Sequence, residues 1–169
     1  YGKIVGADGK KIDGGMCTCF YAPKAYTGEN TVEISCHGSP VGTSLVLSAV
    51  FAAGAKPALA GEFTKRAFVN GKLDLTQAQA VAALIDAKSA AALKLSSNQL
   101  DGVVSGKIKK CADEITMLLA SLYAYIDYPD EDMTDIPLSE LKDRVLKIRK
   151  DIDSLASTYS TGLAISDGV

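Results

Sequence analysis

Two segments of the chain carry charged side chains in patterns that packing alone does not require. The first, residues 25–38, includes the carboxylate of Glu33 and the single histidine, His37. The second, residues 61–75, includes Arg66 and Lys72. A strand carboxylate such as Glu33 can accept two strong charge-assisted hydrogen bonds from a ligand rich in N–H donors. Lys72 follows an Asn-Gly turn, where its flexible ammonium can meet an anionic group.

Each of these side chains also has an ordinary explanation, and the residues alone leave both open. Glu33 can be a solvated strand residue, Lys72 plain surface charge, and Arg66 a surface residue or a salt-bridge partner. His37 can titrate near neutral pH, but no nucleophile is paired with it in the sequence. We therefore predict no catalytic residue in this chain.

The four cysteines allow one metal-binding alternative. Cys17, Cys19 and Cys36 could join His37 in a tetrahedral zinc site. Cys-x-Cys on a strand lacks the loop geometry usual for structural zinc, so we predict no metal site. We expect small apolar fillers in a sheet, in a reducing compartment.

Composition narrows the function classes. The 169 residues include 18 Lys+Arg and 20 Asp+Glu, a formal net charge of −2, and 47% are hydrophobic. This argues against disorder and against a stand-alone nucleic-acid binder. No apolar run approaches the roughly 18 residues of a membrane helix, and no secretory signal is visible. None of the four Gly-Lys pairs precedes Ser or Thr, so a phosphate-binding loop is not expected.

The secondary-structure elements that must position these residues are of two kinds, and the change from one kind to the other falls near residue 75. Eleven of the fifteen glycines precede that point. The predicted fold class is therefore α+β, with a mixed α/β domain over 1–75 and an all-helical portion over 76–169. In the first domain we predict a hairpin turning at Asp8-Gly9 and a half-buried strand over 31–36. The remaining predicted pieces are an extended segment over 57–60 and helices over 40–53, capped by Ser39, and 62–69.

The second part carries three long apolar patterns at helical spacing, over 76–100, 104–126 and 138–155. An acidic connector spans 130–135, and the tail 160–169 is predicted to be a linker. The apolar ridge of the last helix suits packing in a bundle, with an oligomer seam as the alternative.

Several motifs resemble one family closely. They are Tyr26-Thr27-Gly28-Glu29, Glu33-Ile34, His37-Gly38, Ile126-Asp127-Tyr128-Pro129 and above all the run GEFTKRAFVNGKLDL over 61–75. On these residues the chain resembles the MnmE (TrmE) family of tRNA modification GTPases, over nearly its whole length.

The resemblance implies an N-terminal domain that binds a tetrahydrofolate derivative, such as 5-formyltetrahydrofolate, and forms a homodimer in the cytoplasm. It implies that Glu33 and Lys72 match folate contacts, and Arg66, which lies in a matching motif, is assigned to the same cofactor-binding site. It also implies that the family modifies the wobble uridine of tRNA together with the flavoprotein MnmG. GTP, magnesium and potassium would bind only to a GTPase domain outside this chain.

The chain departs from the family pattern in places. The family's first strand and a folate-contacting arginine are expected before Tyr1, and its GTPase domain after Val169. Asn30 stands where Asp is usual, and Ser39 where Gly is frequent. The alternative from another class is a non-enzymatic helical interaction module with an α/β cap.

Overall fold

The computed structural model describes residues 1–127 and 137–167. The chain divides into two compact units, Tyr1–Asp74 and Leu75–Val169. The acidic connector predicted over 130–135 lies outside the described residues. Within the described part, no helix is both long and apolar enough to cross a membrane.

The first unit is built on a three-stranded antiparallel sheet in the order β1-β2-β3, with β1 Gly2–Val5, β2 Lys11–Phe20 and β3 Thr31–Ser35. The predicted hairpin joins β1 to β2. Gly9 adopts φ +74°, a left-handed conformation that glycine tolerates, and Asp8 Oδ1 accepts a hydrogen bond from the Lys10 N–H at 3.1 Å.

The prediction of a half-buried third strand was wrong for this chain. Both faces of β3 are largely open: Val32 is 57% and Ile34 41% exposed on the apolar face, and Glu33 and Ser35 are exposed on the other. Alternation correctly identified a strand, but burial depends on what covers the apolar face. On that face β3 pairs with β2 through Cys19 opposite Val32 and Cys17 opposite Ile34.

Two helices complete the first unit, α1 Pro40–Ala52 and α2 Glu62–Val69. Ser39 caps α1 as predicted, accepting a hydrogen bond from the Gly42 N–H at 3.3 Å. Helix α1 packs on β1 and β2. Residues 57–60, predicted to be extended, form no strand.

The second unit is all-helical, as predicted, with α3 Leu75–Ile85, α4 Ala90–Leu100, α5 Val103–Asp127, α6 Leu138–Ser157 and α7 Tyr159–Asp167. Helix α3 packs against α4, and α5 packs against α6. The helix expected over 76–100 is two helices, because Ser89 is extended and its side chain caps α4 by accepting from the Ala92 N–H at 3.1 Å.

Of the tail predicted to be a linker, residues 160–167 form part of helix α7. Its Ser, Thr and Gly residues resemble a linker in composition, but α7 packs against α4. A Cβ at Gly162 would lie 3.9 Å from Leu95 Cδ2. Packing against a neighbouring helix overrides weak local propensity here.

Candidate functional site

The 61–75 motif lies against the loop that joins β2 to β3. We call this region the loop–helix cluster: the loop over 21–30, helix α2 and the turn over 70–72. The cluster has a small, tightly enclosed centre, in which Ala25 is 1%, Thr27 3% and Ala67 0% exposed. Small side chains at these positions let the loop backbone approach the helix closely.

Arg66 joins the helix to the loop. Its Nη1 donates to Glu29 Oε2 at 2.9 Å, while Nη2 donates to Glu62 Oε1 at 2.7 Å. The planar guanidinium suits this forked arrangement. Hydrogen bonds from Asn70 and then Arg66 lower the pKa of Glu29. The pKa of Glu62 is lowered by the Leu59 N–H and then by Arg66.

Asn70 makes the second connection. Its Nδ2 donates to the Thr27 carbonyl at 2.8 Å and to Glu29 Oε1 at 3.1 Å. From the sequence, Asn70 is expected only as part of a turn and Glu29 has no predicted role. Both residues lie in the motifs that carry the resemblance, but spacing gives no indication of a pair separated by 41 positions.

Lys72 makes the third connection. Its Nζ donates to the Pro23 carbonyl at 2.9 Å. Gly28 adopts φ +76°, and a Cβ there would lie 3.2 Å from both Asn70 Cβ and Lys72 Cγ. Lys72 and Arg66 are therefore brought to the same loop, and each donates a hydrogen bond to it.

Glu33 lies on β3, which begins directly after this loop. It pairs in register with Thr18 of β2 and is exposed. Thr31 shares the Glu33 face of the strand and donates to the Glu29 carbonyl at 3.1 Å. The loop thus contacts the strand on the face that bears Glu33. Among the described residues, no hydrogen bond or ion pair engages the Glu33 carboxylate.

A second polar pair, missed in the sequence, joins Asp13 of β2 to His37. His37 Nδ1 lies 2.9 Å from Asp13 Oδ1, and the His37 backbone N–H donates to Asp13 Oδ2 at 2.8 Å. The backbone N–H groups of His37 and Gly14, followed by the imidazole, lower the pKa of Asp13 to about 2. The Nδ1 contact joins the imidazole to Asp13 of β2.

The residues considered for zinc do not converge. Cys17 and Cys19 are exposed on the sheet, and Cys36 is half-buried. Within residues 1–127 and 137–167, no group of three or more His, Cys, Asp or Glu side chains is placed to hold a metal ion.

The arrangement as a whole suits binding. It provides an exposed carboxylate on a strand, a lysine at the adjoining loop and a loop braced by charge-assisted hydrogen bonds. A Glu33 carboxylate suits N–H donors, and a Lys72 ammonium, which has three donors, suits anionic or carbonyl oxygens.

Two family models together match almost all of the chain. A family model described as GTP-binding protein TrmE N-terminus matches residues 1–72, and one described as MnmE helical domain matches residues 75–169.

Curated relatives match along almost the entire chain. Proteins named tRNA modification GTPase MnmE are 44% identical in Akkermansia muciniphila, over 96% of this chain and 36% of the relative, and 44% identical in Endomicrobium trichonymphae, over 95% and 35%. The protein of the same name from Clostridioides difficile is 39% identical over 100% of this chain and 37% of the relative. The chain thus spans little more than a third of these relatives.

Proposed function

The chain belongs to the MnmE family of tRNA modification GTPases, and from this premise we propose that it is the folate-binding, dimerising and scaffolding portion of such an enzyme. In the whole protein, GTP hydrolysis would occur in a domain outside these residues, with magnesium and potassium bound there. That protein would act in the cytoplasm with the flavoprotein MnmG on the wobble uridine of tRNA.

The folate part of the proposal rests chiefly on the loop–helix cluster. The run over 61–72 makes the Arg66, Asn70 and Lys72 contacts to the loop that leads into the Glu33 strand. In the proposed complex, Glu33 accepts hydrogen bonds from the N–H groups of the pterin edge. Lys72 contacts an anionic or carbonyl oxygen of the same tetrahydrofolate derivative.

Arg66 has a different role in this proposal. All three of its guanidinium nitrogens are already engaged, Nη1 by Glu29 and Nε and Nη2 by Glu62, so it acts as a positioning residue for the loop.

The direct test is calorimetric titration of 5-formyltetrahydrofolate into the full-length protein. We expect Glu33→Ala and Lys72→Ala each to weaken binding about tenfold or more, the loss of one charge-assisted contact. Lys56→Ala is the matched control, because Lys56 is exposed outside the loop–helix cluster. Unchanged affinity in both site variants would contradict the assignment of Glu33 and Lys72 to the site. Absence of binding to the wild type would contradict the proposed folate function.

A further inference from the structure

A lysine-rich segment of α5 has no role in the proposed function. The run Ser105-Gly106-Lys107-Ile108-Lys109-Lys110 places three lysines within four residues, in a chain whose net charge is −2. Lys109 and Lys110 line a cavity of about 500 Å³ between α5 and α6, and Arg144 and Lys147 line it from α6. We call this cavity the cationic groove.

The groove carries a local positive charge. Its lining includes four cations against two carboxylates, Asp113 and Glu114, so its formal charge is +2. All four cations are exposed. The neighbouring cavity of about 260 Å³ shares Lys110 and adds Lys107, against one carboxylate, Asp151, so the positive surface continues along α5.

Most of these cations are not neutralised internally. Arg144 donates to Glu140 at 2.5 Å, one turn away on the same helix. Lys109, Lys110 and Lys147 lie in no ion pair or hydrogen bond within the described residues. Unpaired ammonium groups arranged along one groove are typical of a surface that contacts successive phosphates.

The floor of the groove is apolar and buried. Leu118 is 7% and Ile148 5% exposed, and both line the cavity. Lysine stems extend along apolar surface while their ammonium groups stay in water. The groove therefore holds its charges on two packed helices.

From this arrangement we propose that the cationic groove is a contact site for the phosphate backbone of RNA. The inference rests on the proposed function, because the relatives' names supply tRNA as the polyanion on which the whole protein acts. Phosphate contacts position a nucleic acid without reading its sequence. The groove would orient tRNA, and base recognition would lie elsewhere. An overall charge of −2 is compatible with such a local contact.

The test uses the full-length protein with fluorescently labelled tRNA, in anisotropy titrations at several salt concentrations. The variant Lys109→Gln/Lys110→Gln/Lys147→Gln removes the three unpaired cations. The control Lys94→Gln/Lys142→Gln/Lys150→Gln removes three exposed lysines that line neither cavity. We expect the groove variant to bind tRNA at least about tenfold more weakly. The negative slope of log affinity against log salt should become shallower by about 2 to 3. The control should retain most of the affinity.

Three outcomes would overturn the proposal. The groove variant could bind tRNA like the wild type, both triple variants could lose affinity equally, or the groove variant could lose only its association with an acidic protein partner. GTP hydrolysis and tRNA modification by the wild type are measured in parallel. If both are present and the groove variant binds normally, the groove contact fails while the proposed function stands. If both are absent, the proposed function fails and the inference fails with it.

Discussion

Arg66 and Glu29 are separated by 37 positions in sequence and lie 2.9 Å apart, guanidinium Nη1 to carboxylate Oε2. This contact joins α2 to the loop that precedes β3. Glu62, one turn before Arg66, occupies a second nitrogen of the same guanidinium at 2.7 Å. One arginine therefore braces the loop against the helix that carries the family motif.

Replacing Arg66 should loosen the loop. We expect Arg66→Ala to lower the thermal unfolding midpoint of the 169-residue chain more than Arg66→Lys, which keeps the charge without the fork. The loss should shrink at high salt, because the groups are exposed and screened. Arg144→Ala is the control, since it breaks only the within-helix pair with Glu140. Equal losses at Arg66 and Arg144 would contradict a bracing role.

Substitution by alanine should destabilise the fold more at Gly28 than at Gly9. Both have left-handed φ angles, +76° and +74°, but only at Gly28 would an added Cβ have neighbours within 4 Å. We expect Gly9→Ala to cost about 1–2 kcal/mol from the conformation alone. Gly28→Ala should cost about 1 kcal/mol more from crowding against Asn70 and Lys72. Urea unfolding of both variants measures the difference, and equal costs would show that the loop yields freely.

Asp13 should contribute to the stability of the folded chain at neutral pH, and this contribution should be lost in acid. Its pKa is about 2 in the folded chain against an ordinary 3.8, so its ionised form is stabilised by folding. That contribution is fully present above about pH 5 and is lost as the pH falls from about 4 to about 2. The gap in unfolding midpoint between wild type and Asp13→Asn should narrow over this range.

His37→Ala separates the two sources of the Asp13 shift. The backbone N–H groups of His37 and Gly14 lower the Asp13 pKa more than the imidazole does. We therefore expect His37→Ala to keep most of the acid dependence that Asp13→Asn removes. Loss of that dependence in His37→Ala would show that the imidazole dominates.

Variants of Glu33 and Lys72 should differ in their effects on folate affinity and on folding stability. Lys72 donates to the Pro23 carbonyl, so Lys72→Met should lower both the affinity for 5-formyltetrahydrofolate and the unfolding midpoint. Glu33 makes no contact among the described residues that Gln would remove, so Glu33→Gln should lower affinity about tenfold and leave the midpoint unchanged. A fall in midpoint for Glu33→Gln would show that its carboxylate supports the sheet.

Ser89 should account for the break between α3 and α4. Removing its cap with Ser89→Ala should cost about 1 kcal/mol. Ser154→Ala, at an exposed position inside α6, should be neutral or slightly stabilising because alanine is the better helix former. Urea unfolding compares the two, and no cost at Ser89 would indicate that packing alone sets the break.

The positions of helices and strands could be predicted from the sequence better than their burial and their contacts. Apolar spacing located α5 and α6, and the Ser39-Pro40 signal located α1, because these features are local. The break at Ser89 was missed because the alanine-rich pattern runs continuously through the helix cap. The helical tail was missed because its packing on α4 outweighs its linker-like composition. In the candidate site, the positions of Arg66 and Lys72 were visible as motif residues. Their contacts with Glu29 and Pro23 could not be predicted, since each contact joins segments that are distant in sequence.

The open sheet face has a practical consequence in the kinetics of thiol modification. Cys17 and Cys19 are free, exposed thiols, and they lie opposite Ile34 and Val32 on the same face. A thiol reacts only when a reagent can reach it. The rate at which these two cysteines are alkylated therefore reports whether that face is covered in the full-length protein, in its complexes or after ligand addition, without any introduced label.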